Sequence, residues 1–188
     1  LTVLLPLIAL NSIGSAGTGY PPYAGFIDND LLLTVTLSVL VFCFFNFRKK
    51  AKCFAGDVGS VGIAFIVVFA IGKLMAISGD YSWIMLLAVY GVDTVLTIVH
   101  RIMLHENLGD AHRKHAYQIM ANELNIPHVA VSLIYMALQM IVSAGLLFLP
   151  INHYLYSAIV LMILCMAYIV FMKKYYHLHE EYLRSVEA

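Results

Sequence analysis

Cysteine and charge are both scarce in this sequence. Only three of its 188 residues are cysteine (Cys43, Cys53 and Cys165), and no two of them form a CxxC pair. Two of the three lie in apolar runs, so neither a disulfide framework nor a zinc site is expected. Charged residues make up 12% of the chain and the formal net charge is zero, which argues against nucleic acid as a partner.

Apolar residues are abundant instead. They make up 62% of the sequence, and the mean hydropathy is +0.86. A soluble domain is about half apolar and about a quarter charged. Because so small a chain cannot bury this much apolar surface in one core, lipid is the expected solvent. The predicted fold class is all-α, a polytopic integral membrane helix bundle.

The apolar residues fall into runs of the length that a membrane helix needs, about 20 residues. Because residue 1 is Leu and no basic segment precedes the first run, we expect residues 1–188 to be the C-terminal part of a single multi-span domain whose N-terminal part is missing. The sequence predicts about six spans, the first truncated: Leu1–Ile13, Leu31–Phe47, Val58–Ile77, Ser82–Met103, Pro127–Leu149 and Tyr154–Met172.

The basic residues predict the orientation of these spans. Ten of the eleven Lys and Arg residues fall at 48–52, at 101–114 and after residue 172, which lie on one side of a six-span arrangement. Cytoplasmic loops carry the excess of Lys and Arg, so these segments are predicted to be cytoplasmic. Aromatic and histidine residues that follow the last span are predicted to form an interfacial belt: Tyr175, Tyr176, His177 and His179.

Three polar segments stand out on this predicted cytoplasmic side. The first joins a basic loop to a membrane helix through Gly56, Asp57, Gly59 and Ser60. Asp57 could simply cap the helix while the glycines allow close packing. The same residues could bind phosphate at the helix N-terminus, with a carboxylate-held magnesium ion beside it. The residues alone leave both interpretations open.

The second segment is a polar stripe inside the span 82–103. A carboxylate within a span costs about 2.5–3.5 kcal/mol on insertion scales, so Asp93 is not expected to face lipid. Asp93 could fix helix packing or take part in chemistry. The stripe shares one helix face at steps of three and four residues: Tyr90, Asp93, Thr97, His100 and Arg101.

The third segment is the loop His105–Asn125. His112 and His115 are three residues apart and would share a face if this segment were helical, but an isolated HxxH pair is weak support for a metal site. With Arg113 and Lys114 they form a compact group of hydrogen-bond donors suited to a nucleotide diphosphate. A solvated basic loop is the alternative.

These three segments together resemble one family. Cys53–Ser60 resembles an F-x-G-D-x-G-S loop, Val92–Arg101 an L-D-T-x-x-x-I-x-R-R span, and His112–His115 a histidine-rich H-x-H-H loop. They occur in the order found in the polyprenyl-phosphate N-acetylhexosamine-1-phosphate transferases (glycosyltransferase family 4). The resemblance covers roughly residues 31–150 well and the ends loosely.

The resemblance implies a bacterial inner-membrane enzyme with a cytoplasmic active site. Such enzymes transfer a sugar-1-phosphate from a UDP-sugar to undecaprenyl phosphate, release UMP and need Mg²⁺, which Mn²⁺ could replace. It implies Asp57 as the catalytic, metal-binding residue, with Gly56, Gly59 and Ser60 in the same loop. It implies His112, Arg113, Lys114 and His115 at the nucleotide sugar, and Asp93 and Arg101 lining the cleft. A homodimer is a further candidate assembly.

The chain departs from the family pattern in two ways. The paired aspartates and the N-x-x-N-x-x-D-G stretch that the family carries upstream do not occur here, which implies that residues 1–188 are inactive alone. In the histidine loop Lys114 stands where the H-x-H-H pattern has its middle histidine, and His100 stands where the family often has a first arginine. Two other functions remain open: a transporter that uses Asp93 as its ion site, and a non-catalytic membrane subunit.

Overall fold

The chain is all-α throughout the part that the structure describes. This structure is a computed structural model that describes residues 1–15, 25–48, 52–53, 55–110 and 113–187, and it leaves the side chains of residues 13–15, 57 and 180–187 undescribed. The helices in chain order are α1 (Leu4–Ser15), α2 (Asn29–Asn46), α3 (Gly56–Ser78), a 3₁₀ segment (Tyr81–Leu87), α4 (Ala88–Met103), α5 (Ala116–Asn122), α6 (His128–Phe148) and α7 (His153–Glu187).

Five segments of the described chain are long and apolar enough to cross a membrane, as a multi-pass protein requires. Their mean hydropathy lies between 1.7 and 2.5. They match the five complete predicted runs: Asn29–Asn46, Val58–Ser78, Tyr81–Met103, His128–Phe148 and His153–His179. The partial run at the start becomes α1, whose 12 residues are fewer than the roughly 20 that a span needs.

Two details of the spans differ from the sequence prediction. The run predicted from Ser82 is not α-helical at its start, because residues 81–87 form a tighter 3₁₀ turn before α4. The last helix continues well past Met172, to Glu187. Hydropathy alone records neither the change of helix type nor the polar extension of α7.

The helices belong to two compact units. The first comprises residues 1–86 and 140–150, and the second comprises residues 87–139 and 151–188, so α6 contributes to both. In the first unit α1 packs against α2 and α3 through fully buried leucines, Leu4, Leu7 and Leu32 among them. The buried Asn11 of α1 connects α1 to the start of α2, since its Nδ2 donates to Ile27 O and to Asn29 Oδ1, both at 2.7 Å.

In the second unit α7 packs against α4 and α5. The centre of this packing consists of Val92, Ala116, Ile119, Tyr168 and Met172. Val92 lies on α4, directly before Asp93, and Ala116 opens α5. The apolar core of this unit therefore surrounds the second polar segment and the start of the third.

Gly79 ends α3 in a left-handed conformation, with φ of 68°. Its N–H donates to Met75 O at 2.9 Å and so satisfies one of the last carbonyls of the helix. We expect Gly79→Ala to lower the free energy of unfolding by about 1–2 kcal/mol, because a Cβ is disfavoured in this conformation. Thermal unfolding of the purified protein in detergent measures the change.

Gly72 provides the matched control for Gly79. It lies inside α3, and a Cβ built there meets no atom within 4 Å. Gly72→Ala is expected to be neutral or to stabilise by up to about 1 kcal/mol, since alanine loses less entropy than glycine in a helix. Equal effects of the two substitutions would contradict the assigned end of α3.

Candidate functional site in the second unit

The carboxylate of Asp93 is buried and accepts four hydrogen bonds. The residue is 3% exposed, as the cost of a carboxylate in a span predicts. Its Oδ1 accepts from Thr97 Oγ1 at 3.3 Å and from the N–H of Ala116 at 3.0 Å. Its Oδ2 accepts from Tyr135 Oη at 2.7 Å and from the N–H of Tyr117 at 3.4 Å. One side chain thus joins α4, α5 and α6.

Asp93 supplies hydrogen-bond acceptors to the N-terminus of the short helix α5. The first N–H groups of any helix have no partner within the helix, and they carry its partial positive charge. Asp93 satisfies two of them, at Ala116 and Tyr117, from another helix. Because α5 has only seven residues, too few to be stable in isolation, its start depends on this contact.

His115 occupies the position directly before α5, in extended backbone conformation. Its N–H donates to Gln118 Oε1 at 3.3 Å, and its Nδ1 lies 3.6 Å from Asp93 Oδ1. The imidazole ring stacks on Tyr117, with 5.4 Å between ring centroids. His115 is therefore held beside the buried carboxylate while its side chain stays 17% exposed.

The position of His115 bears on the predicted histidine pair, and the surroundings of the neighbouring Tyr117 bear on its charge. The helix begins only at Ala116, so helical spacing does not place His115 on one face with His112, which lies outside the described residues. Burial raises the pKa of the Tyr117 phenol above its usual value, and the negative charge of Asp93 adds to this effect. The phenol of Tyr117 therefore stays neutral at physiological pH.

A further hydrogen bond connects this network to α7. Thr97 Oγ1 lies 2.9 Å from Tyr168 Oη, and Thr97 has no exposed surface. The predicted polar stripe is therefore divided: Asp93, Thr97 and Arg101 are buried, whereas Tyr90 is 47% exposed. The helical spacing in the sequence correctly placed Asp93, Thr97 and Arg101 on one face, but it could not show that Tyr90 is exposed while these three are buried.

Arg101 organises the loop that follows α4. The residue is 3% exposed, and its guanidinium donates to the carbonyl oxygens of Asn107 at 2.6 Å, Asp110 at 3.3 Å and Leu108 at 3.5 Å. Its Nε also donates to Glu106 Oε2 at 3.2 Å. Most of its five N–H groups are thus engaged within the loop. The geometry makes Arg101 a residue that shapes the site rather than an open anion receptor.

Glu106 lies between two of the candidate basic residues. It pairs with Arg101 through one carboxylate oxygen and with Lys114 through the other. The hydrogen bond from Lys114, followed by that from Arg101, lowers the pKa of the Glu106 carboxyl below its usual value. Two positive charges are therefore held together by one negative charge, so the cluster of Arg101, Glu106 and Lys114 keeps a net positive charge next to His115.

Arg113 and the first motif complete the set of predicted site residues. Arg113 is exposed and lines a polar cleft near the end of α5.

The first motif lies in the first unit, at the start of α3. This helix begins at Gly56, which has a φ of 61°, so Ala55 takes the cap position and Asp57 is the second helical residue rather than the cap. Ser60 Oγ donates to Gly56 O at 2.9 Å. The side chain of Asp57 lies outside the described part.

A metal site is not formed by the described side chains alone. Among them, no group of three or more His, Cys, Asp and Glu residues lies close enough together to hold an ion. A magnesium ion binds through one or two carboxylates and keeps waters and substrate phosphates as its other ligands. The first turn of α3 offers Asp57 for such a site, and the assignment stays a prediction.

Several residues of the site carried no recognisable signal in the sequence. Tyr135 and Tyr168 lie within apolar spans, where a tyrosine usually contributes only packing. His179, predicted to belong to an interfacial belt, is instead 2% exposed and pairs with Glu123. Their partners are between 42 and 71 residues away in sequence, so only the folded chain reveals them.

Comparison with known proteins does not assign this chain to a family. No family model, curated protein or solved structure matches the chain. The resemblance to the sugar-phosphate transferases therefore rests on the three motifs themselves. Any functional assignment must be argued from those residues and from their arrangement in the two units.

Removing the hydroxyl of Tyr135 tests the Asp93 network. Tyr135→Phe deletes the 2.7 Å hydrogen bond to a buried carboxylate, and we expect it to lower the free energy of unfolding by about 1–3 kcal/mol. Tyr175→Phe is the matched control, because the Tyr175 hydroxyl makes no hydrogen bond in the described part of the chain. Denaturant unfolding in detergent should separate the two variants, and equal midpoints would contradict the network.

The pH dependence of stability tests the Glu106 cluster. A carboxyl whose pKa is lowered in the folded state stabilises the protein above its ordinary pKa, and this contribution disappears as pH falls through the lowered value. Glu106→Gln should therefore lower the Tm at pH 7. The loss in the free energy of unfolding should be at most about 1 kcal/mol, since the ion pairs of Glu106 are partly exposed. The difference from wild type should begin to shrink as pH falls below the ordinary glutamate pKa of about 4.5, and it should vanish only below the lowered pKa of the folded protein.

The cause of the Glu106 effect is tested separately with Lys114→Met. Because the bond from Lys114 is the largest contribution, its removal should move the loss of stability to higher pH, closer to the ordinary glutamate range. The same pH series of Tm values provides the measurement. An unchanged transition in Lys114→Met would mean that Arg101 or another group sets the pKa.

Proposed function

We propose that this protein takes part in the transfer of a sugar-1-phosphate from a UDP-sugar to a polyprenyl phosphate. A phosphate oxygen of the lipid forms a bond to the β-phosphorus of the UDP-sugar. The bond between that phosphorus and the bridging oxygen breaks, and UMP leaves. The products would initiate a cell-envelope polysaccharide or a peptidoglycan lipid intermediate, and N-acetylhexosamine-1-phosphate is the expected group transferred.

The observation that carries this proposal is the joining of the second and third motifs by Asp93. Asp93 belongs to the motif Val92–Arg101, and it binds the N–H groups that directly follow the motif His112–His115. Two sequence segments that resemble the same family are thus parts of one hydrogen-bonded network. The two matches are therefore neighbours in the fold as well as in the order of the sequence, which supports an interpretation of both as parts of one site.

In this proposal the residues of the second unit divide into two groups. Asp93 and Arg101 act as positioning residues, since the first fixes the start of α5 and the second fixes the loop 104–110. His115, Arg113 and Lys114, together with His112, supply hydrogen bonds and positive charge to the nucleotide diphosphate. Arg113 is exposed and His115 partly so, which leaves both able to meet a ligand.

The first motif supplies the other half of the proposed chemistry. Phosphoryl transfer requires positioning and neutralisation of charge more than covalent catalysis. Asp57 would hold a magnesium ion that neutralises the phosphate oxygens. Gly56, Gly59 and Ser60 lie in the same first turns of α3, where the free N–H groups of the helix favour an anion.

We place this chemistry on the cytoplasmic face of a bacterial inner membrane. The support is the gathering of ten of the eleven basic residues on one side of the spans, since cytoplasmic loops are the ones enriched in Lys and Arg. UDP-sugars are made in the cytoplasm, so the proposed orientation lets the donor reach the loop 112–115 directly. The polyprenyl phosphate would reach the same side from within the bilayer.

The geometry of Asp93 favours the transferase over a transporter. An ion-carrying carboxylate must exchange its partners during each cycle. Asp93 instead accepts four hydrogen bonds, two of them from backbone N–H groups that cannot move without unwinding α5. Such a carboxylate is suited to fixing an architecture.

Replacing Asp57 tests the reaction class. In membranes that carry the full-length protein, we expect magnesium-dependent exchange of labelled UMP into UDP-N-acetylglucosamine in the presence of undecaprenyl phosphate. Asp57→Asn should reduce this exchange by at least about a hundredfold, because it removes the charge that would hold the metal. Asp30→Asn, at the start of α2 on the predicted opposite side, is the control and should exchange normally. Substantial activity in Asp57→Asn would contradict the catalytic assignment.

Replacing His115 tests the nucleotide-binding loop. His115→Ala should raise the KM for the UDP-sugar by about tenfold and leave the KM for the lipid phosphate unchanged, because the imidazole would contact only the donor. His153→Ala, at the start of α7, serves as a histidine control. Steady-state kinetics with both substrates varied give the answer, and an unchanged donor KM would remove His115 from the binding site.

A further inference from the structure

A second buried acid lies at the far end of α5, outside the network described above. Glu123 directly follows α5, and its Oε1 lies 2.5 Å from Nδ1 of His179 on α7. The two side chains are 5% and 3% exposed. This pair attaches the polar extension of α7 to the segment that begins at His115.

One oxygen of this buried acid has no partner. Glu123 Oε2 is inaccessible to solvent and makes no hydrogen bond to any described residue. A buried acceptor without a partner costs about 1–3 kcal/mol, and more when it carries charge. Native proteins retain such groups where a ligand or an ordered water satisfies them.

Glu123 lines a cleft of the right size and polarity for a ligand. The cleft has a volume of about 320 Å³, at the lower end of the range for small-molecule sites. Three of its lining side chains are exposed, so its wall can adjust to admit a ligand. The lining residues are Arg113, Ala121, Asn122, Glu123, Asn125 and His179.

The chemistry of the lining narrows the class of ligand. A divalent cation is disfavoured, because only two of the described lining side chains, Glu123 and His179, could ligate a metal and Arg113 opposes a positive ion. A nucleobase is disfavoured too, since none of the described lining residues is a Phe, Tyr or Trp that could stack on it. An acid, two amides and an arginine offer both acceptors and donors, which suits a ligand that carries several hydroxyl groups.

We propose that this cleft holds the sugar ring of the donor, and that movement of the exposed side chains in its wall opens Glu123 Oε2, which is closed to solvent in this structure, to a hydrogen bond from a ring hydroxyl. The proposal rests on the proposed function and extends it from the diphosphate to the sugar. Arg113 provides the continuity, since it belongs to the loop assigned to the diphosphate and also lines the cleft. Glu123, Asn122 and Asn125 are then residues that determine which sugar is accepted.

Equilibrium binding to the full-length protein in nanodiscs tests this subsite. The ligands are UDP, UDP-N-acetylglucosamine and UDP-N-acetylgalactosamine, and the variants are Glu123→Gln and Asn122→Ala. The wild type should bind at least one UDP-sugar more tightly than UDP. Glu123→Gln should weaken that binding about tenfold or more, the effect of one hydrogen bond to a charged group, and leave UDP binding unchanged.

Each other outcome overturns a defined part of the proposal. If the wild type binds none of the three ligands, the nucleotide-sugar function fails and the subsite fails with it. If UDP-sugars bind no more tightly than UDP, or Glu123→Gln does not weaken them, the subsite is wrong and the function stands. If Glu123→Gln loses affinity for UDP as well, its fold is damaged and the test passes to Asn122→Ala. The subsite then requires that Asn122→Ala weaken binding of the UDP-sugar a few-fold and leave UDP binding unchanged.

Discussion

A carboxylate buried in an apolar span constrains everything that packs around it. Leaving Asp93 without hydrogen bonds would cost several kcal/mol, so the fold must bring donors to it from elsewhere. It does so with two hydroxyl groups and two backbone N–H groups, drawn from α4, α5 and α6. The backbone donors matter most, because they make the position of α5 a condition for satisfying the charge. A loop segment is thereby held in a fixed place against a membrane helix.

The surroundings of α5 extend this principle to the rest of the second unit. Arg101, two turns after Asp93 on the same helix, fixes the loop 104–110 through its carbonyl oxygens. Glu106 then keeps Lys114 close to that loop, and His179 secures the other end of α5 through Glu123. Buried charges at both ends thus orient a seven-residue helix that could not hold itself. The exposed Arg113 and the partly exposed His115 project from a rigid base, which suits recognition of a charged, hydroxyl-bearing donor.

The sequence predicted those parts of the fold that depend on local composition. The five long spans follow from runs of apolar residues, and the burial of Asp93 follows from the cost of its charge in lipid. The 3₁₀ turn at 81–87 was not predictable, because its residues are as apolar as those of the helix that continues it. Helix α5 was missed because its stability comes from Asp93, 23 residues upstream of Ala116. His179 was misassigned to the interface for the same reason, since Glu123 is 56 residues away. The roles of Asp57 and His112 still rest on the motifs.

Hydrogen–deuterium exchange at the amides of Ala116 and Tyr117 tests the central claim most directly, namely that Asp93 fixes the start of α5. The full-length protein in nanodiscs would be compared with its Asp93→Ala variant, with the amides inside α7 as an internal reference. The account predicts strong protection of both amides in the wild type, lost in the variant while α7 stays protected. Equal protection in the two proteins would contradict it, because α5 would then be held by something other than Asp93.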